Sequence, residues 1–107
     1  METITQQEYQ ARIIHGLVLV DFYAPWCEPC LLLEKILQGL ESDFPEFAFY
    51  RLNCDENQDI VKEQKILSIP TLLLYRDSKL LKEINGLQTS DSLERILAFY
   101  GEKAAQN

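Results

Sequence analysis

Apolar and polar residues follow two patterns along this chain, one typical of strands and one typical of helices. The runs Leu17–Tyr23 and Phe47–Cys54 are almost continuously apolar and rich in residues that favour strands. Such runs are typical of strands that are covered on both faces. Between them, apolar residues recur at helical spacing from Pro29 to about Ser42. The pattern therefore predicts a strand, a helix and a second strand in this order.

Residues that start and stop helices predict a helix near each end of the chain. Thr5 and Glu8 have the spacing of a capping box, and Gly16 follows the apolar positions of this first helix. The last helix is predicted to begin near residue 90 and to stop at Gly101. The segment after that glycine, Glu102–Asn107, is expected to be a solvated tail.

A short helix and a hairpin complete the predicted order of elements. The helix is expected near Asp59–Lys65, and the hairpin strands at Leu72–Tyr75 and Leu80–Ile84 are joined around Asp77-Ser78. Strands that alternate with helices need right-handed crossovers. We therefore expect a three-layer α/β/α sandwich with a central mixed sheet. No repeat or linker-like segment divides the 107 residues, so a single domain spanning residues 1–107 is expected.

The charge balance and the apolar runs exclude several classes of partner. Seventeen acidic and ten basic residues give a formal net charge of −7, without a Lys/Arg cluster. Such a field repels a phosphate backbone, so we expect no nucleic-acid partner. No apolar run reaches the roughly 20 residues that cross a bilayer, and the N-terminal segment does not resemble a secretory signal. A cytoplasmic protein without a membrane partner is the expectation.

Two cysteines lie at the predicted junction between a strand and a helix. Cys27 and Cys30 are separated by two residues, and Pro29 suits the first helical turn. A helix start stabilises an anion, and the thiolate is the nucleophile in disulfide exchange. The alternative is a structural zinc site, which needs four ligands, and only Cys54 and His15 remain as candidates. Dithiol redox chemistry is therefore favoured over metal binding.

Three segments resemble motifs of the thioredoxin family. The sequence VDFYAPWCEPC, from Val20 to Cys30, is similar to its active-site signature. Ile69-Pro70-Thr71 resembles its cis-proline segment, and Asn85-Gly86-Leu87 resembles its glycine loop. The resemblance extends from Thr5 to Tyr100. It implies a thioredoxin-like fold and a protein disulfide reductase that cycles between a dithiol and a disulfide.

The resemblance implies a role for each group of the reaction. Cys27 would attack the substrate disulfide, and Cys30 would resolve the mixed disulfide, which leaves an oxidised Cys27–Cys30 pair and needs no bound cofactor. Asp21 would take the proton of the resolving thiol. A carboxylate in an apolar strand is costly without a role or a partner, and the alternative is that backbone donors satisfy it.

The same resemblance implies a substrate-binding surface beside the cysteines. A cis bond at Ile69-Pro70 would expose the Ile69 backbone, which would pair with an extended substrate segment. We expect the apolar rim of this surface to contain Trp26, Ile69, Pro70, Gly86 and Leu87. Three consecutive leucines begin at residue 31, and one of them is expected to face outward. We expect Leu31 to enlarge the apolar patch.

Three residues depart from the family pattern and suggest redox tuning. Glu28, before Pro29, stands where the family usually has glycine, and Leu31 replaces a common basic residue. Both changes disfavour a thiolate at Cys27, by an amount equivalent to about 10–20 mV toward the reducing side. An acid at a helix start can also simply complement the helix dipole. Arg51 occupies the position of a family lysine and either reaches Asp21 or extends to solvent.

The expected partners are disulfide-containing protein substrates and a flavoprotein thioredoxin reductase, with the chain acting as a monomer. Two alternatives remain open. One is a non-catalytic interaction module with the same fold, and the other is a thiol-ligated metal or cluster site shared between two chains. Retention of both cysteines, Asp21 and Ile69-Pro70 argues against the interaction module.

Overall fold

Five strands form one sheet in the computed structural model, which describes residues 1–105 and their side chains through residue 102. The strands are β1 (Glu2–Thr3), β2 (Leu17–Tyr23), β3 (Phe47–Asn53), β4 (Thr71–Arg76) and β5 (Lys79–Asn85). The helices are α1 (Tyr9–Ile13), α2 (Glu28–Glu41), α3 (Gln58–Glu63) and α4 (Ser90–Ala105). A single 3-10 turn, Cys54–Glu56, follows β3.

The sheet is mixed, and β2 lies at its centre. The strand order is β1-β3-β2-β4-β5. β3 runs parallel to β1 and β2, whereas β4 is antiparallel to β2 and β5. In the register of β2, Asp21 lies between Arg51 of β3 and Leu72 of β4. The central strand therefore carries a charged residue at the end that leads to the cysteines.

Two apolar cores, one on each face of the sheet, give the three layers. One core contains side chains of α2 and α4, such as Leu33, Leu37 and Leu93. The other contains side chains of α1 and α3, such as Tyr9 and Ile60. Because β2 has a core on both faces, its first six residues are all buried, which explains its continuous apolar run. The predicted α/β/α sandwich is confirmed.

Two features at the ends of the chain differ from the predictions. β1 was not predicted, because it has only two residues and gains its partner from β3. The prediction that α4 stops at Gly101 was wrong, since the helix continues to Ala105. A Cβ on Gly101 would lie 3.2 Å from the Glu46 carboxylate and 3.5 Å from the Phe47 ring, so this glycine allows a close approach.

The predicted solvated tail, Glu102–Asn107, therefore begins as helix. Glu102 is exposed, and residues 106–107 lie outside the described part of the chain. Within residues 1–105, no helix has the length and apolar character needed to cross a membrane.

The hairpin has the predicted turn. Asp77 and Ser78, between β4 and β5, have φ angles of 49° and 66°. Two successive residues with positive φ are typical of the tight turns that match the twist of paired strands. The Gly16 N–H donates to Asp77 Oδ1 at 2.7 Å, which attaches this turn to the segment before β2.

Candidate active site

Cys27 and Cys30 lie where the chain passes from β2 into α2. Cys27 is the N-cap of α2, and a disulfide joins it to Cys30 in the first turn, with the two Cα atoms 5.2 Å apart. The Cys30 N–H donates to Cys27 Sγ at 3.3 Å. A sulfur at this position faces the unpaired N–H groups and the positive end of the helix dipole. The geometry therefore favours a thiolate at Cys27 once the disulfide opens.

The disulfide packs into a small apolar cluster beneath the surface. Cys27 is 5% exposed and Cys30 1% exposed, and both pack with Ala24. The partly buried side chains of Tyr23 and Ile69 pack against this cluster. The first cysteine is thus the more accessible of the two, as expected if it is the one that meets a substrate.

The Ile69-Pro70 segment approaches the cysteines through Ile69, which packs against their cluster. Its peptide bond is cis. The Pro70 carbonyl accepts a hydrogen bond of 2.8 Å from the Gly86 N–H, which brings two of the family-like motifs together. Gly86 has a φ of +83°, a conformation that disfavours any side chain. Within the part of the chain that the structure describes, the Ile69 N–H and carbonyl make no hydrogen bond, so both are free to pair with an added strand.

Trp26 lies at the surface next to Cys27. Its side chain is 72% exposed, and its indole N–H donates to Asp55 Oδ2 at 2.9 Å. Asp55 belongs to the turn after β3 and was missed in the sequence. No pattern in the sequence links the two residues, since the turn approaches Trp26 only in the folded chain.

An apolar groove runs between α2 and the segment after β5. It has a volume of about 550 Å³ and is lined by Leu32, Ile36 and Leu87 among others. Only one of the three leucines was expected to face outward, but Leu31 and Leu32 are both about half exposed. Leu32 lines the groove, whereas Leu31 does not. Helical spacing alone could not predict which of these two leucines lines the groove.

Asp21 is completely buried, and no group within residues 1–105 donates a hydrogen bond to either of its carboxylate oxygens. The alternative in which backbone donors satisfy this carboxylate is therefore wrong. Burial raises the pKa of Asp21 to about 7; the charge of Arg51 lowers it and that of Glu34 raises it. A carboxyl group with this pKa can exchange a proton near neutral pH.

Arg51 does not hydrogen-bond to Asp21, although the two are partners across β2 and β3. Its guanidinium pairs with Glu34 of α2 and lies 3.8 Å from the centre of the Tyr23 ring. The Arg51 side chain is 19% exposed, so the expectation that it extends to solvent is wrong. Its charge nevertheless acts on Asp21, because it lowers the pKa of that carboxyl group.

Glu34 was also missed in the sequence. Its side chain is 21% exposed and borders the apolar face of α2. The available signal was its position one helical turn after Cys30, which places both residues on the same side of the helix.

Cys54 is a free thiol at the end of β3 that is half-buried rather than fully buried. Burial and the nearby charges of Asp55 and Asp21 raise its pKa to about 11. It is therefore protonated at neutral pH and a poor nucleophile. No group of three or more His, Cys, Asp or Glu side chains with metal-binding geometry occurs within the described residues.

Comparison with known proteins gives one consistent family. The Thioredoxin family model matches residues 1–98. The thioredoxin of Chlamydia trachomatis serovar D is 32% identical over 98 residues, which cover 92% of this chain and 96% of that protein.

Solved structures agree with this match. A mutant thioredoxin from Halobacterium salinarum superposes with a TM-score of 0.85 at 32% identity, over 92% of this chain and 88% of that one. Oxidized mitochondrial thioredoxin 3 from Saccharomyces cerevisiae gives 0.84 at 30% identity, over 92% and 93%.

Proposed function

We propose a role for each residue of this site from one premise: the chain belongs to the thioredoxin family and is a thiol–disulfide oxidoreductase with protein-disulfide reductase activity. The observation that carries the proposal is the Cys27–Cys30 disulfide at the start of α2. The non-catalytic alternative is not favoured, because the redox-active pair is present.

We infer that Cys27 is the nucleophile and Cys30 the resolving cysteine. In the reduced chain, the Cys27 thiolate attacks one sulfur of a substrate disulfide and releases the other as a thiolate. The Cys30 thiolate then attacks Cys27, breaks the bond to the substrate and forms the intramolecular disulfide. Two electrons pass from the protein to the substrate. The lower exposure of Cys30 supports this assignment, since a resolving thiol needs no direct access to a protein partner.

Asp21 is proposed as the group that takes the proton of Cys30 before the resolving attack. Its support is chemical: a fully buried carboxylate without a hydrogen-bond donor is expensive to keep unless it has a function. A pKa of about 7 makes it a suitable acceptor at neutral pH.

Substrate proteins are proposed to bind beside the cysteines as an added strand. The free N–H and carbonyl of Ile69 supply the backbone hydrogen bonds. Apolar contacts come from a rim that includes the exposed side chains of Trp26, Leu31 and Leu87 with the partly exposed Gly86, whereas Pro70, predicted in this rim, is buried. Backbone pairing with an apolar rim suits many sequences, which fits a general reductase.

Residues next to the cysteines are proposed to tune the redox potential. Glu28 and Pro29 occupy the first turn of α2, between the two cysteines. The negative charge of Glu28 opposes the Cys27 thiolate and makes the protein more reducing. Arg51 is proposed to act on the other side of the site, through its charge near Asp21.

The family implies disulfide-containing protein substrates and a reductase partner. We propose a flavoprotein thioredoxin reductase as electron donor, a monomeric single-domain protein and a cytoplasmic location, where thiols are kept reduced. The net charge of −7 argues against a nucleic-acid partner, and the proposed chemistry needs no cofactor besides the disulfide and no membrane.

The test is reduction of insulin disulfides with dithiothreitol as electron donor. We expect Cys27→Ser to abolish the acceleration and Cys30→Ser to trap a mixed disulfide with insulin. Cys54→Ser is the matched control and should keep full activity, because that thiol stays protonated. A wild-type chain without activity would support the interaction module, and a mixed disulfide trapped by Cys27→Ser instead would reverse the two roles.

A further inference from the structure

We propose that Glu34 is a positioning residue for the resolving step, because its ion pair with Arg51 holds the guanidinium away from Asp21 and leaves that carboxylate available to accept the proton of Cys30. The inference rests on the role proposed above for Asp21. It assigns a function to an ion pair between α2 and β3 that neither the cysteines nor substrate docking explains.

Two carboxylates, those of Asp21 and Glu34, are possible partners of Arg51, and the guanidinium pairs with Glu34. Arg51 lies opposite Asp21 in the β2–β3 register, yet its guanidinium pairs with Glu34 and stacks on Tyr23. Both Asp21 oxygens and Arg51 Nε are buried without a hydrogen-bond partner in the described chain. Without Glu34, Arg51 would keep Asp21 as its register partner, and the carboxylate of Asp21 has no hydrogen-bond donor in the described chain.

The charges around Asp21 come from few elements. β3 contributes Arg51, whose charge lowers the pKa of Asp21, and α2 contributes Glu34, whose charge raises it. The turn after β3 contributes Cys54, whose pKa Asp21 helps to raise. From β4, the partner of Asp21 is the apolar Leu72. The Arg51–Glu34 pair is therefore the main source of charge that can be altered without changing either active-site cysteine.

The chemical step is the second half of the exchange. Cys30 transfers its S–H proton to the Asp21 carboxylate, and the resulting thiolate attacks Cys27 in the mixed disulfide. The Cys27–substrate bond breaks, and the substrate leaves as a thiolate that takes a proton from water. A guanidinium bonded to Asp21 would stabilise the carboxylate and make it a weaker base. Glu34 prevents this by holding Arg51.

The experiment is a direct titration of the Asp21 carboxyl group by ¹³C NMR in the reduced protein. We expect Glu34→Gln to lower the pKa of Asp21 by about 1 unit, because the full charge of Arg51 then acts on it. Arg51→Met should raise the pKa of Asp21. In the Arg51→Met background, the further substitution Glu34→Gln should change that pKa much less than it does in the wild type. Glu41→Gln, on the same helix but paired with the N-terminus, is the control and should have no effect.

An unchanged Asp21 titration in Glu34→Gln would overturn the proposal. So would equal shifts with and without Arg51, because Glu34 would then act as a lone charge and not by positioning. If the Arg51 variants do not fold, the pH profile of insulin reduction is the alternative test. The proposal then requires that the acidic limb of this profile lies at lower pH in Glu34→Gln than in the wild type. Unchanged turnover in Asp21→Asn would refute only the proton role of Asp21, since the titration tests the ion pair independently.

Discussion

Two of the buried polar groups in this fold differ in their hydrogen bonding: the hydroxyls of Tyr9 and Tyr75 are paired, and the carboxylate of Asp21 is not. In the core between the sheet and α1, the hydroxyls of Tyr9 and Tyr75 share a hydrogen bond of 2.7 Å, and Tyr75 donates to Gln64 Oε1 at 3.1 Å. At the cysteine end of β2, the oxygens of Asp21 have no donor within residues 1–105.

The contrast separates a satisfied buried polar group from an unsatisfied one. A buried group that is hydrogen-bonded contributes to stability, whereas an unsatisfied one costs free energy. The tyrosine pair therefore belongs to the packing of the core. Asp21 lowers stability at neutral pH, and this cost supports the role in proton transfer that we propose for it.

Asp21→Asn should give the largest effect. In the folded protein the pKa of Asp21 is raised from 3.8 to about 7, so the folded state binds an extra proton between these values. The stability of the wild type therefore falls as pH rises from about 4 to 7. The substitution removes this loss, and we expect a gain of about 2–4 kcal/mol at pH 8 and little change at pH 4.

Urea unfolding of the oxidised wild type and variant at both pH values measures this gain. The difference between the two proteins cancels the titration of the other carboxylates. An equal gain at both pH values would mean that the carboxylate charge is not the source of the instability, and the contrast between the two regions would fail.

Tyr75→Phe should have an effect of the opposite sign. The substitution leaves the Tyr9 hydroxyl and Gln64 without their partner, which should cost about 1–2 kcal/mol in the free energy of unfolding. The cost should be the same at pH 5 and pH 8, and the rate of insulin reduction should not change. Loss of activity without loss of stability would assign the tyrosine pair to the reaction and not to the core.

Glu28→Gln should have the smallest effect. It tests whether an exposed carboxylate acts more weakly than the buried carboxylate of Asp21. Glu28 is exposed beside Cys27, so water and salt screen its charge, unlike that of Asp21. We expect the reduction potential to become more positive by about 10–20 mV, measured by equilibration in a dithiothreitol redox buffer. Glu28→Gly should behave similarly, which separates charge from side-chain shape. An unchanged or more negative potential would show that Glu28 only complements the helix.

Much of the fold was predictable because its elements have strong local signals. The apolar run of β2 and the helical spacing in α2 each identify their element without reference to the rest of the chain. β1 gave no such signal, since two residues carry no periodicity. Gly101 was misinterpreted because the sequence does not distinguish a glycine that ends a helix from one that allows close packing. Gly101 is of the second kind and packs against Phe47.

The site residues also divide into those with a local signal in the sequence and those without one. The spacing of Cys27 and Cys30 at a predicted helix start indicated dithiol chemistry, since the N-cap and the first turn of one helix hold both residues. Asp55 and Glu34 were missed because each acts on a residue of another element, Trp26 and Arg51 respectively. Pairings of this kind are set by how the turn after β3 and helix α2 lie over the sheet, which no local pattern encodes.

The chain contains one tryptophan, and it directly precedes Cys27 of the redox pair. All indole fluorescence of the protein therefore originates from the residue next to Cys27, whose ring is mostly in water and donates one hydrogen bond to Asp55. Because Trp26 is joined directly to Cys27, we expect opening of the disulfide or binding of a substrate to change the surroundings of that ring. The reaction centre thus carries its own optical reporter, and its turnover can be followed by emission without a dye.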